Sequence, residues 1–342
     1  MGYVKLVFFM IFPFLCQLSL SFCSSLSHLC PKDQALALLQ FKHMFTISHD
    51  PSDYCFDITD HLIQSYPKTL SWNKSTDCCS WDGVSCDETT GKVIELNLTC
   101  SKLQGKFHSN SSVFQLSNLK RLDLSNNNFF GSFISPKFGQ VVVYSLEQRG
   151  LHTSGRIHSN SGQLEFLSFN RIWTQLEWLD CSVNSVTGPI PSNVSGMQNL
   201  QSLRLSSNHL NGTTPSWIFS LPSLTGLELS DNHFSGNIQE FKSKTLSRVS
   251  LKQNQLQGPI PKSLLNQRDL HYLLFSHNNL SGQIASTICN LKTLGVLDLG
   301  SNNLEGTIPL CLGEMSELWV LDLSSNNLSG TINTTFSIGT NL

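Results

Sequence analysis

Asp298 and Asp322 stand 24 residues apart, each inside the phrase Leu-Asp-Leu. Two carboxylates about 5 Å apart are what a retaining glycosidase uses, one as nucleophile and one as acid. Strands repeating at this interval and lying side by side would supply that spacing, since paired strands sit about 4.8 Å apart. The same position also carries Asp123 and Asp180, each without a partner one interval away. A carboxylate that recurs with a phrase is explained by the phrase, and no pocket or supporting shell accompanies it. We therefore assign no catalytic residue and expect no enzyme. His209 and His233 are likewise 24 residues apart, each directly after an asparagine. A metal site needs more ligands than two. His43, His49, Asp53, Cys55 and His61 crowd into one stretch, but their spacings match no zinc pattern. Nucleophile elbow, phosphate loop and kinase motifs are missing from the sequence. The chemistry it offers calls for no cofactor and no metal.

Composition points the same way. The 342 residues carry a net charge of −2 with 13% charged residues. That argues against nucleic acid or an anionic membrane surface as partner. Residues 1–23 read as a secretory signal peptide, with an uncleaved anchor as the alternative: Lys5 is followed by an apolar run from Leu6 to Phe22, interrupted by Pro13, then by small residues. Nine of the eleven cysteines follow it, in a compartment where they can pair. Eight Asn-x-Ser/Thr sites, at Asn73, Asn97, Asn110, Asn193, Asn211, Asn279, Asn327 and Asn333, predict a glycoprotein.

What positions all these groups is a repeat. Copies of Leu-x-x-Leu-x-Leu-x-x-Asn-x-Leu-x-Gly begin at Leu119, Leu176, Leu200, Leu224, Leu246, Leu270, Leu294 and Leu318, with a weaker one at Val93. From Leu176 the interval is 24 residues, once 22. This is a leucine-rich repeat. Strand alternation turns the paired leucines inward, and one coil cannot cover them, so coils must stack. The recurring asparagine, at 127, 184, 208, 232, 254, 278, 302 and 326, can tie backbone groups of its own and the adjacent coil. The glycine that follows permits a turn that a Cβ would hinder. The predicted fold is an α/β solenoid, a right-handed superhelix with a concave parallel β-sheet and mostly irregular or 3₁₀ segments on its outer side. Residues 93–131 form the first repeats and 176–342 the regular ones. Residues 132–175 read as a degenerate repeat or deletion scar, with Gln148 at an inward site and Leu151 in place of the asparagine.

A concave sheet presents one row of side chains per coil, which makes it the candidate surface for a protein ligand. Its outward positions include Trp178, Asp180, Arg204, Glu228, Arg248, Lys252, Tyr272, His277, Asp298, Trp319 and Asp322. Arg, Tyr and Trp are frequent interface anchors, although most residues of even a true interface contribute little.

Residues 24–92, running on into the first repeat as far as Leu98, hold "LCPKDQALALLQFK" and "TLSWNKSTDCCSWDGVSCDETTGKVIELNL". They resemble the N-terminal cap of plant extracellular leucine-rich-repeat proteins, with Trp72 and Trp81. The resemblance implies bridges Cys30–Cys78 and Cys79–Cys86. Cys55 and Cys100 are left over in this region and can pair. Cys289 and Cys311 occupy similar outer positions of adjacent coils, and a bridge fits there. Cys181 takes an inward leucine site as a buried thiol. The stretches "SSVFQLSNLKRLDLS", "ICNLKTL", "LDLGSNNLEGTIP" and "SGTINTTFSIG" resemble tomato Cf-type receptor-like proteins of disease resistance. That resemblance implies recognition of a secreted pathogen protein or peptide, a receptor-kinase co-receptor for the full-length form, and a plasma-membrane location for it. A next repeat is due at Leu342, the last residue. The chain therefore reads as a truncated member, uncapped at its C-terminus and without a membrane helix, expected in the secretory pathway and the apoplast. The alternatives are a soluble apoplastic binder or inhibitor of a fungal wall-degrading enzyme, or a non-functional truncated product.

Overall fold

Alternation along each Leu-x-Leu phrase sends its two leucines to one side, and that side is buried coil after coil. Leu203 and Leu205, Leu227 and Leu229, and Leu297 and Leu299 have almost no exposure. At roughly 1.5–3 kcal/mol per buried leucine, this stacked column is the main stabilising term. A computed structural model describes residues 29–48, 54–56, 62–135, 174–192, 194 and 196–332. Its inner sheet has ten strands: β1 (Val84–Cys86), β2 (Val93–Asn97), β3 (Arg121–Asp123), β4 (Trp178–Asp180), β5 (Ser202–Arg204), β6 (Gly226–Glu228), β7 (Arg248–Ser250), β8 (Tyr272–Leu274), β9 (Val296–Asp298) and β10 (Val320–Asp322). β1 runs antiparallel to β2; the others are parallel, in chain order. The register keeps equivalent residues abreast, so Leu203 lies beside Leu179 on one side and Leu227 on the other.

The asparagines form a ladder. Asn208 donates through Nδ2 to the carbonyl of Cys181 in the preceding coil (2.9 Å) and to those of Leu205 (3.1 Å) and Ser206 (3.2 Å) in its own. Its Oδ1 accepts from the Val186 N–H (3.0 Å). Asn232, Asn278 and Asn302 repeat this arrangement.

The outer side departs from expectation. Short 3₁₀ turns occur there, as at Ser286–Asn290, but so does a second, seven-stranded parallel sheet from Thr187–Pro189 to Asn327–Ser329. The Asn-x-Leu-x-Gly segments are extended and stack at the same pitch as the inner strands, so their backbones pair too. Alternation does not reveal this, because only the one leucine of each segment is buried.

Each coil also turns through a left-handed residue just before its ladder asparagine: Ser207 (φ 56°), Gln253 (53°) and Ser301 (53°) are examples. Such φ values are disfavoured for any side chain and most for β-branched ones. Val183 holds φ 51° and is 49% exposed. Val183→Asn is therefore expected to raise unfolding free energy by about 1 kcal/mol, read as a rise in the urea midpoint without a change in slope.

The lid on the first coil is α1 (Lys32–Lys42), which buries Ala37, Leu38 and Phe41. Gln34 Oε1 accepts from the Val93 N–H (2.8 Å), tying α1 to the first parallel strand. Trp72 and Trp81 stack with centroids 5.6 Å apart. Disulfides join Cys30 to Cys78, Cys55 to Cys100, Cys79 to Cys86 and Cys289 to Cys311.

β3 pairs directly with β4, setting Leu122 against Leu179. The inner sheet thus continues across the interval in which the repeat pattern lapses; residues 136–173, with Gln148 and Leu151, lie outside the described ones. The join is imperfect. Asn184 donates to the Leu124 carbonyl (3.1 Å), but among the described residues its buried Oδ1 lacks the donor that the other coils supply. Beside it, Phe107, Leu124, Phe129, Phe133, Cys181 and Val186 line an apolar cavity of about 20 Å³. Cys181 is the free cysteine among the described residues. Burial, then the Asp180 and Asp123 charges, push its thiol well above the ordinary range. Native protein is expected to leave Cys181 unmodified by a thiol-specific disulfide reagent for hours, and protein unfolded in guanidinium to react with one equivalent within minutes.

Candidate binding surface

The outward positions of β2 to β8 form one connected strip. Arg121 approaches Glu95 through Nε (3.7 Å) and lies over the Trp178 ring, 4.9 Å from its centroid. Arg204 covers the same ring from the other side, also at 4.9 Å. Arg204 then meets Glu228 (3.2 Å), which Arg248 approaches at 3.9 Å. Arg248 in turn lies over Tyr272 at 4.1 Å. In-register strands create this order: each side chain reaches the neighbouring coil because equivalent positions are abreast. Ring stacking of this kind contributes about 0.5–1 kcal/mol at exposed sites and holds long arginines in fixed poses.

Beside the strip, on the same face of β3 and β4, lies a carboxylate pair. The sequence reading gave Asp123 and Asp180 no partner and set Asp180 on the solvated face; both readings are corrected. Direct pairing of β3 with β4 puts the two abreast, and Asp180 is only 1% exposed. Its Oδ1 accepts from the Ser182 N–H (2.9 Å) and hydroxyl (2.6 Å), while Oδ2 has no partner among the described residues. Burial first, then the Asp123 charge, raise its carboxyl to about 6, against the pull of Ser182 and Arg204. Lys68, also at this end, donates to the Asn97 carbonyl (3.2 Å) and Oδ1 (3.0 Å), and burial holds its ammonium below the ordinary value.

The other predicted positions are spread along the face. Lys252 and His277 follow their strands, Lys252 half-buried and His277 exposed in the left-handed pose (φ 55°). Trp319, 69% exposed at the end of the sheet, lies where a Cβ on Gly295 would come within 2.5 Å of its Nε1. Asp298 and Asp322 sit abreast on β9 and β10. A glycosidase acid needs a raised pKa, whereas hydrogen bonds from Ser324, with His277 adding to them, hold Asp322 below its ordinary value. His209 and His233 stack with centroids 6.3 Å apart on the outer sheet. Cys30, Asp77, Cys78 and Cys79 cluster closely enough to hold a metal, but their sulfurs are bound in disulfides. His49, Asp53 and His61 lie outside the described residues.

Sequence reasoning passed over Arg121 and Glu95. Both hold the repeat position of Trp178, one and two strands earlier, and that equivalence was the available signal. Among the sequons, Asn73, Asn110, Asn211, Asn279 and Asn327 are exposed and Asn97 is half-buried on β2; Asn193 and Asn333 lie outside the described residues.

Comparison with known proteins agrees with this architecture. Two leucine-rich-repeat models match residues 174–234 and residues 118–140, 269–291, 293–315 and 317–337; the leucine rich repeat N-terminal domain matches 31–55 and 56–87. Receptor-like protein Cf-9 of Solanum pimpinellifolium is 74% identical over 141 residues, 41% of this chain and 16% of that protein. A Cf-9 homolog of Solanum lycopersicum is 47% identical over 215 residues, 57% of this chain and 23% of that one. The chain thus spans under a quarter of the length of these relatives. Among solved structures, the ectodomain of the Arabidopsis thaliana receptor kinase GASSHO1/SCHENGEN3, in complex with CASPARIAN STRIP INTEGRITY FACTOR 2, superposes with a TM-score of 0.63 at 30% identity, covering 86% of this chain and 30% of that one. Repeat, cap and relatives converge: the chain is built of leucine-rich repeats behind a leucine-rich-repeat N-terminal domain, and over the matched residues it is similar to plant receptor-like proteins of the Cf-9 kind.

Proposed function

We propose that this chain is the ligand-recognising portion of a plant defence receptor-like protein and that its concave face takes up a secreted pathogen protein. The supporting observation is the strip from Glu95 to Tyr272. Three arginines and two aromatic rings locked together across seven strands put the residue types most often found at interface centres on one rigid sheet. The Cf-9 relatives and the ligand-bound GASSHO1/SCHENGEN3 ectodomain favour the same reading. The chain faces the extracellular side, and for this stretch on its own we place it in the apoplast; among the described residues no helix is long and apolar enough to cross a membrane. A receptor-kinase co-receptor would engage the longer form.

The test is surface plasmon resonance of the secreted chain against purified secreted fungal proteins. A binder whose affinity falls at least tenfold in Trp178→Ala, and is unchanged in His209→Ala on the outer sheet, supports the reading. The opposite pattern removes it. Inhibition of a polygalacturonase without any dependence on Trp178 would favour the soluble-inhibitor alternative.

A further inference from the structure

The two ends of the arginine strip differ from its middle. Arg204 is enclosed and pairs with Glu228. Arg121 and Arg248 have side chains 49% and 41% exposed, and their nearest carboxylates, at 3.7 and 3.9 Å, lie beyond hydrogen-bonding reach. Among the described residues, each therefore keeps its guanidinium N–H groups free of hydrogen bonds, while Trp178 and Tyr272 lie against them. A planar fork of donors fixed in position is the arrangement that recognises a carboxylate through two parallel hydrogen bonds, and its immobility lowers the entropy cost of doing so.

Deepening the reading of the concave face as a protein-binding surface, and resting on it, we infer that Arg121 and Arg248 grip two carboxylates of one extended acidic segment. The spacing follows from the sheet. Arg121 is on β3 and Arg248 on β7, four strand intervals apart, or about 19 Å. An extended segment crossing the strands rises about 3.3 Å per residue, so its two acidic residues stand about six positions apart. Between them lies Glu228, already paired with Arg204, so the intervening residues are uncharged. Beyond β8, the Asp298 and Asp322 carboxylates repel further acidic residues and confine the segment to β3–β8.

The experiment uses the secreted chain and three fluorescent eleven-residue peptides of Gly and Ser. One carries Asp at positions 3 and 9, one carries its two Asp side by side, and one has Asn at positions 3 and 9. Anisotropy at low ionic strength is expected to give at least tenfold tighter binding of the spaced Asp peptide than of either control. That advantage is lost in Arg121→Ala, in Arg248→Ala and in Arg248→Lys, which keeps the charge but not the fork. It is retained or increased in Asp298→Asn. Arg121 is exposed, while Arg248 and Asp298 are half-buried and Asp298 accepts from the Ser276 hydroxyl, so an intact fold is checked for every variant by circular dichroism and urea midpoints. Equal binding of the three peptides, absence of binding, or indifference to the arginine substitutions overturns the inference. A fungal protein that needs Trp178 but ignores Arg121→Ala and Arg248→Ala would overturn it while leaving the concave-face reading standing.

Discussion

Replacing Asn208 by alanine is expected to lower unfolding free energy by about 3 kcal/mol, more than any exposed substitution on the concave face. The side chain makes four hydrogen bonds to backbone, two of them to the preceding coil, and it is buried. Alanine would leave the Val186 N–H and the carbonyls of Cys181, Leu205 and Ser206 without these partners. An unpartnered buried group carries a penalty of roughly 1–3 kcal/mol; relaxation and water entry at the turn bring four such losses down to the stated figure. Because a solenoid's stability resides largely in contacts between adjacent coils, the effect should spread to both neighbours and broaden the urea transition. Asn326→Ala is the control: Asn326 makes the same bonds but is half-exposed in the last described coil, so the loss there should be smaller. Equal losses at the two sites would show that burial does not set the cost.

The second large effect concerns pH. Asp180 titrates at about 6 in the fold, against 3.8 for an ordinary aspartate, chiefly because it is buried and secondly because Asp123 lies beside it. The folded state thus favours the protonated form. Its stabilising contribution is complete below about pH 4 and disappears as the pH rises through 6, where folding must carry a buried charge. Asp180→Asn mimics the protonated carboxyl. It should match the parent near pH 4 and exceed it by 2–3 kcal/mol, on the order of two pKa steps of about 1.4 kcal/mol each, above pH 7. Urea titrations at pH 4, 5, 6, 7 and 8 would trace the difference. A variant less stable than the parent at pH 8 would mean that attraction to Arg204 outweighs burial.

The chain itself specified the solenoid. Its inward leucines, ladder asparagines and turn glycines obey a 24-residue period, and each is local: strand alternation, amide hydrogen bonding and backbone freedom decide which way each residue faces, whatever the neighbouring coil contains. The concave face was legible to the same extent, since position within the phrase marks Trp178, Arg204, Glu228, Arg248 and Tyr272 as outward. What the period could not convey was adjacency across a gap. Asp123 and Asp180 are 57 residues apart, yet the sheet pairs them because β3 and β4 are neighbours. Burial and charge then alter a carboxylate that the sequence would leave ordinary. The same neighbour relation sets Arg121 upon Trp178 and completes the strip. The outer parallel sheet was invisible for a related reason: it depends on backbone pairing between stacked coils and leaves little mark on side-chain type. Periodicity in one dimension thus chose the fold and the face. The order in which coils came to lie side by side, known only in three dimensions, chose which charges and rings meet.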